Sequence, residues 1–169
     1  MAVTLNVQDY TGEVSGANAY ISLSDAKALF TERGLTTSAS DDEIIAAIIN
    51  ATEYIDLRFD FTGERLAEDQ TTEFPRYAEA DEDALNEYIV KACGLYASEA
   101  LTASLWRTEA ETDAARVVEL TQSANKAGET VKYSGTLKNS TFKTFPLIDA
   151  LVNKCGFVKC SGSILLRRI

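Results

Sequence analysis

Ser40-Asp-Asp-Glu-Ile-Ile-Ala-Ala-Ile-Ile-Asn-Ala-Thr-Glu-Tyr-Ile-Asp-Leu-Arg-Phe59 is the stretch whose reading decides the fold. It opens on Ser-x-x-Glu, the pattern in which the serine hydroxyl caps one backbone NH and the glutamate reaches back to another. Ile44, Ile45, Ile48, Thr52, Ile55 and Phe59 then recur at helical spacing and form one apolar stripe. Asp42, Asn50, Glu53, Asp56 and Asp60 lie mostly off that stripe. The pattern predicts a helix over about 42–59, solvated on one side and packed on the other.

Two further helices flank it. On the N-terminal side, Ser22-Leu-Ser-Asp25 is a cap signal. It predicts a helix over about 24–33 with Ala26, Leu29 and Phe30 inward and Gly34 as its stop. On the C-terminal side, Asp81-Glu-Asp83 would occupy a first helical turn, where the dipole favours anions. Ala84, Leu85, Tyr88, Ile89, Ala92, Leu95 and Tyr96 line the helix that follows, predicted over about 81–105. Gly94 inside it costs about 1 kcal/mol relative to Ala, and a close helix–helix approach would be a reason to keep it.

The connecting pieces are less regular. Residues 1–20 read as irregular or short strand, punctuated by Gly12 and Gly16. Phe61 to Ala80 reads as a long loop containing Gln70-Thr-Thr-Glu-Phe-Pro-Arg76, and loops of that length usually carry function or a binding segment. Thr108 to Asn125 suits either a further helix, with Ala115 and Val118 on one face, or an arm. Gly128 to Ser134 alternates like a strand. Pro146 fits the first turn of a last helix over about 146–153, with Leu147, Ile148 and Leu151 inward and Gly156 beyond its end. Phe157 to Ile169 is a basic and apolar tail. The fold class that follows is mainly α: a small helical bundle with a short strand or hairpin and extended terminal arms. Its parts are an irregular segment over 1–20, a helical domain over 21–155 and a C-terminal arm over 156–169.

Composition bounds the function. The 169 residues hold 26 Asp and Glu against 16 Lys and Arg, a net charge of −10. That charge is split. Met1 to Asn125 carries 24 acids and 8 bases, whereas Lys126 to Ile169 carries 8 bases and only Glu129 and Asp149. A subunit that attaches at one end and avoids polyanions at the other could use such a gradient. No apolar run approaches the length of a spanning helix, and the N-terminus lacks the pattern of a signal peptide, so no membrane partner and synthesis in the cytoplasm are expected.

The chain has no histidine, which removes Ser-His-Asp and Cys-His catalysis and the HExxH zinc site. Cys93, Cys155 and Cys160 fit no zinc spacing and read as small buried hydrophobes. Ser-x-x-Lys occurs at Ser24, Ser123 and Ser140, but without the companion elements of a serine acylase. No glycine-rich phosphate loop is present. The acidic clusters at 41–43 and 81–83 read as helix caps. An enzyme, a cofactor and a structural metal are therefore not expected. For nucleic acid, the C-terminal quarter offers Lys132-Tyr133, Lys138, Phe142-Lys143, Phe145, Phe157 and Lys159, basic residues interleaved with aromatics. The alternative is that these aromatics are core and these lysines a solvated face.

The order of three stretches resembles a family of tailed-bacteriophage head–tail connector proteins, also called adaptor or head-completion proteins. They are Ala17-Asn-Ala-Tyr-Ile-Ser-Leu-Ser-Asp-Ala26 with Arg33-Gly34, Ile48-Ile-Asn-Ala-Thr-Glu-Tyr-Ile-Asp56, and Gln70-Thr-Thr-Glu-Phe-Pro-Arg76. Phe145-Pro-Leu-Ile-Asp-Ala-Leu151 is similar to the family's ending, and Phe74 stands where a Trp is more usual. Some members carry a single-stranded-DNA-binding label, by likeness to a primosomal protein, which is the alternative function.

The resemblance implies a virion protein at the portal vertex, present in the host cytoplasm during assembly. It would form a twelve-fold ring between the portal protein and the tail or a second, stopper connector, and DNA would pass without tight binding. A carboxylate-lined channel would suit that passage, with Glu53, Asp56, Asp60, Glu64, Glu68 and Asp69 as candidates. The arm that would grip the portal or a neighbour is Phe157, Lys159, Ile164, Leu165, Leu166, Arg167, Arg168 and Ile169. It is expected to gain order only on that partner.

Overall fold

Helix α1 spans Leu23–Glu32 and α2 spans Asp41–Arg58. Helix α3 spans Glu87–Ala100, and α4 spans Pro146–Lys154. Between α3 and α4 lie two strands, β1 over Val117–Gln122 and β2 over Glu129–Tyr133. These come from a computed structural model that describes residues 4–77, 85–107, 117–122, 129–133 and 142–159. The fold is mainly α, as the helical patterns predict.

The caps act where the sequence places them. Ser22 Oγ accepts the Asp25 backbone NH at 3.1 Å, which starts α1. At α2 both halves of the capping box form: Ser40 Oγ accepts the Glu43 NH at 3.4 Å, and Glu43 Oε2 accepts the Ser40 NH at 2.7 Å. Those bonds from Ser40 hold the Glu43 carboxyl below its ordinary range, because they favour the charged form. Gly34, at φ 65°, takes the left-handed turn that ends α1.

The core lies where α3 meets the other helices. α2 buries Ile44, Ala47, Ile48, Ala51, Thr52, Tyr54 and Ile55. Tyr54 thus joins the face read from the isoleucines, while Ile45 and Phe59 sit half-buried at its margin. α3 buries Ile89, Ala92, Cys93, Gly94, Tyr96 and Ala97. α1 contributes Ala26, Leu29 and Phe30, the three residues expected. Cys93 and Cys155 are buried, and burial pushes the Cys93 thiol up to about 12. Cys160 lies outside the described residues.

Three expectations need correction. Helix α3 begins at Glu87 rather than near 81. Asn86 caps it by accepting the Tyr88 NH at 3.1 Å, and a strong N-cap residue starts a helix where it stands. Residues 81–83, read as its first turn, lie outside the described residues. Part of 108–125 is strand, since Val117–Gln122 pairs antiparallel with β2, Leu120 opposite Val131 and Thr121 opposite Thr130. Val117, Val118 and Thr121 are β-branched, and a partner strand close by in sequence gives them a ladder. In α4, Ile148 and Val152 are buried, whereas Leu147 is 87% exposed. The helix is rotated because Asp149, two residues further on, points inward to the largely buried Arg58.

Gly94 does allow a close approach. A Cβ there would lie 2.5 Å from Leu29 Cδ2 and 3.1 Å from Ile21 Cδ1. Gly94→Ala normally gains about 1 kcal/mol of helix propensity. Here the overpacking, about 1–3 kcal/mol, opposes and exceeds it. The expected result is a net loss of about 1 kcal/mol in urea unfolding, whereas a gain would mean that Leu29 swings away freely.

Candidate functional site

Two buried polar clusters take up most of the residues that the sequence marks as special. The first ties the 61–76 loop to α2 and to the segment before α1. Tyr20 Oη donates to Asp56 Oδ1 at 2.5 Å and accepts the backbone NH groups of Glu73 and Phe74 at 2.9 and 3.2 Å. Asp56 Oδ2 also accepts the Glu73 NH at 3.3 Å. Burial raises the Asp56 carboxyl to about 7, against the donors that favour its charged form. Burial also raises the Tyr20 phenol well above its ordinary value, and the Asp56 carboxylate adds to that.

The Gln70–Arg76 stretch completes this cluster. Gln70 Nε2 donates to the carbonyls of Thr72 and Pro75 at 2.7 and 3.1 Å. Gln8 Nε2 donates to Thr72 Oγ1 at 3.1 Å, and Thr71 Oγ1 to the Ala17 carbonyl at 2.6 Å. The Phe74–Pro75 peptide is cis. Arg76, only 4% exposed, donates to the carbonyls of Thr62 and Gly63 at 3.1 and 2.6 Å and pairs with Glu73. The loop is therefore a packed element, folded on its own side chains. Gly12, at φ 76°, lets the N-terminal segment pass it: a Cβ would meet Gln70 Oε1 at 2.6 Å.

The second cluster joins α2, α3 and α4. Arg58 forms a fork with Asp149, Nη1 to Oδ1 at 2.8 Å and Nη2 to Oδ2 at 2.5 Å. Tyr96 Oη donates to Asp149 Oδ1 at 2.5 Å. Tyr54 Oη donates to the Lys143 carbonyl and accepts from Arg58. Burial raises the Tyr54 phenol to about 12, with the Arg58 charge opposing. The rings of Phe142 and Phe145 stand edge-on to Tyr54 at 5.7 and 6.1 Å.

Those contacts settle where several candidates lie. Phe142, Phe145 and Phe157 pack against the core, so three of the aromatics considered for base stacking are used in folding. Lys138 and the side chains of Lys132 and Tyr133 lie outside what is described. Of the acidic candidates, Glu53, Asp60, Glu64, Glu68 and Asp69 are exposed on α2 and the loop after it. Asp56 is not a surface carboxylate, because its oxygens are held by Tyr20 and Glu73; a helical position next to the apolar stripe turned it inward.

The arm also differs from its expectation at its start. Phe157 packs edge-on to Phe74 at 5.7 Å, and its carbonyl accepts from the Thr62 NH at 2.6 Å. Val158 bridges antiparallel to Phe61, and the Lys159 NH donates to the Asp60 carbonyl at 2.8 Å. Phe157 and Lys159 are thus ordered on the chain's own domain, where an aromatic pocket and the backbone of residues 60–62 receive them. Ile164, Leu165, Leu166, Arg167, Arg168 and Ile169 lie outside the described residues.

Sequence reading missed Tyr20 and Glu73 as partners in the first cluster, and Tyr54, Arg58 and Asp149 as partners in the second. The available signal was the Tyr54-to-Arg58 step of one helical turn; the partners on other elements are distant in sequence.

Among the described residues no group of three or more Cys, Asp or Glu side chains is placed to hold a metal ion. Among them, too, no helix is long and apolar enough to cross a membrane. What the fold defines is a small helical domain whose polar interior is structural and whose described surface is largely acidic. The chain belongs to the family described as "Putative DnaT-like ssDNA binding protein", whose profile matches residues 3–169. No curated protein and no solved structure matches the chain.

Proposed function

We propose that this protein is a subunit of a head–tail connector ring in a tailed bacteriophage, placed between the portal protein and the tail or a stopper. The observation that carries the reading is the fate of the cations and aromatics. Residues 4–77 hold 14 carboxylates and 5 cations. Four of those cations, Lys27, Arg58, Arg65 and Arg76, are in ion pairs. Binding a strand takes exposed cations that displace counterions, and aromatic faces on which bases stack. This part of the surface instead presents Glu53, Asp60, Glu64, Glu68 and Asp69, which repel phosphate and suit a wall past which DNA moves. The resemblance of the three stretches to connector proteins supplies the ring, the portal and the virion location. The C-terminal residues would supply the grip on a neighbour.

A second reading is a single-stranded-DNA-binding accessory protein. The family description favours it, and the net charge of +6 over Lys126 to Ile169 gives it a possible seat. Titration of labelled single- and double-stranded oligonucleotides into the full chain at physiological salt separates the two. The connector reading expects no sub-micromolar binding to either, and a ring on purified portal by negative-stain microscopy. Sub-micromolar, salt-sensitive binding to single strands alone would establish the second reading in its place.

A further inference from the structure

A groove of about 590 Å³ runs between α1 and α3. Apolar side chains, Leu29 and Val90 among them, line it together with the exposed carboxylates of Asp25, Glu32 and Glu87. Lys91 is the one cation among its described lining residues. An apolar channel edged by negative charge fits a segment that is apolar and basic and carries no acid.

The chain contains one such segment. After Asp149 there is no further carboxylate side chain, and residues 160–169 hold Ile164, Leu165, Leu166 and Ile169 with Arg167 and Arg168. Its starting point is close to the groove. Lys159 is fixed to Asp60, and Phe157 lies 5.7 Å from Phe74, which lies 6.3 Å from Tyr20, a residue at the groove's edge. Ten residues can span up to about 33 Å when extended, well beyond those two ring-to-ring steps. The same strap, Phe157 to Lys159, already binds the chain's own body.

We propose that in the free chain residues 160–169 dock in this groove, with the apolar side chains against Leu29 and Val90 and the arginines near Glu32 and Glu87. A tail held there is withheld from DNA and from other proteins until a partner displaces it. The proposal does not depend on which function above is correct.

The test is a photo-crosslinking residue, benzoylphenylalanine, placed at Leu166 in the full chain. Mass spectrometry is expected to find it joined to a peptide of α1 or of residues 85–91 in the same molecule. Crosslinks only to another face, only between copies, or none at all would overturn the docking. Reversing the groove charge with Glu32→Lys and Glu87→Lys should cut the yield roughly fivefold at low salt. Adding Arg167→Glu and Arg168→Glu should restore it. An unchanged yield, or no recovery, would also count against the proposal. If the reversed chain loses its helical circular dichroism, Glu32→Gln with Glu87→Gln takes its place and the yield is read the same way.

Discussion

Arg58→Ala is expected to remove about 3–5 kcal/mol of folding stability, the usual cost of breaking a buried ion pair from one side. The Arg58 and Asp149 side chains are only 10% and 15% exposed. Without the guanidinium, the Asp149 carboxylate keeps the Tyr96 hydroxyl at 2.5 Å and the Phe145 NH at 3.3 Å but loses its counter-charge. Tyr54 loses a donor as well, and the anchor of the Lys143 carbonyl weakens. The damage falls on the seam between α2 and α4, so α4 and the strap after it should loosen first. For a domain of this size the midpoint should drop by roughly 10 °C in thermal unfolding. Hydrogen exchange should show residues 146–159 losing protection before α2 does. Arg58→Met combined with Asp149→Leu removes both charges and should recover most of the loss. If the single variant is no less stable than the double, the pair is not what holds the seam.

Asp56→Asn should change how stability depends on pH. The Asp56 carboxyl is raised to about 7 in the folded chain, chiefly by burial, against 3.8 when unfolded. Between those values the folded state holds a proton that the unfolded state has released. Stability from this group is therefore fully present below about 4 and is lost as pH rises through 7. The asparagine variant lacks that titration. Relative to it, the natural chain should lose about 2 kcal/mol between pH 5 and pH 7. Urea unfolding of both chains at intervals across that range measures the difference. Other carboxylates cancel in the comparison, because both chains carry them. A difference that stays flat would mean the Tyr20 hydroxyl and the Glu73 NH keep the carboxylate charged throughout. Tyr20→Phe is the complementary variant. It removes the donor that favours the charged form and leaves the Phe74 NH without its acceptor, while the Glu73 NH keeps only the longer bond to Asp56, so it should destabilise at every pH.

The stretches by which the chain resembles connector proteins turn out to be the staples of the fold. Tyr20, Tyr54, Asp56, Gln70, Arg76 and Asp149 all lie in those stretches, and all sit in or beside the two buried clusters. A match on such residues speaks to the architecture, so it could mark the family without revealing a binding surface. Function rests on the exposed residues, and the exposed carboxylates of α2 and the loop after it carry no pattern of their own. That is why the site was less legible than the fold.

The sequence by itself determined the helices α1 and α2, their caps and most of their buried faces. Those depend on interactions within four residues, capping hydrogen bonds and the period of the apolar stripe. It also determined the mainly α class and the uneven distribution of charge. Only the tertiary structure decided that Asp56 faces inward, that Leu147 faces out and that Phe157 packs against the core. Only it turned a loop of apparent irregularity into a packed clamp on Tyr20 and Gly12. Each of those outcomes rests on partners dozens of residues away: Asp56 on Tyr20, Asp149 on Arg58, Phe157 on Phe74. Periodicity along the chain reports which residues share a face. It carries no information about what a distant element will bring to that face, and a buried polar side chain takes its orientation from that distant partner.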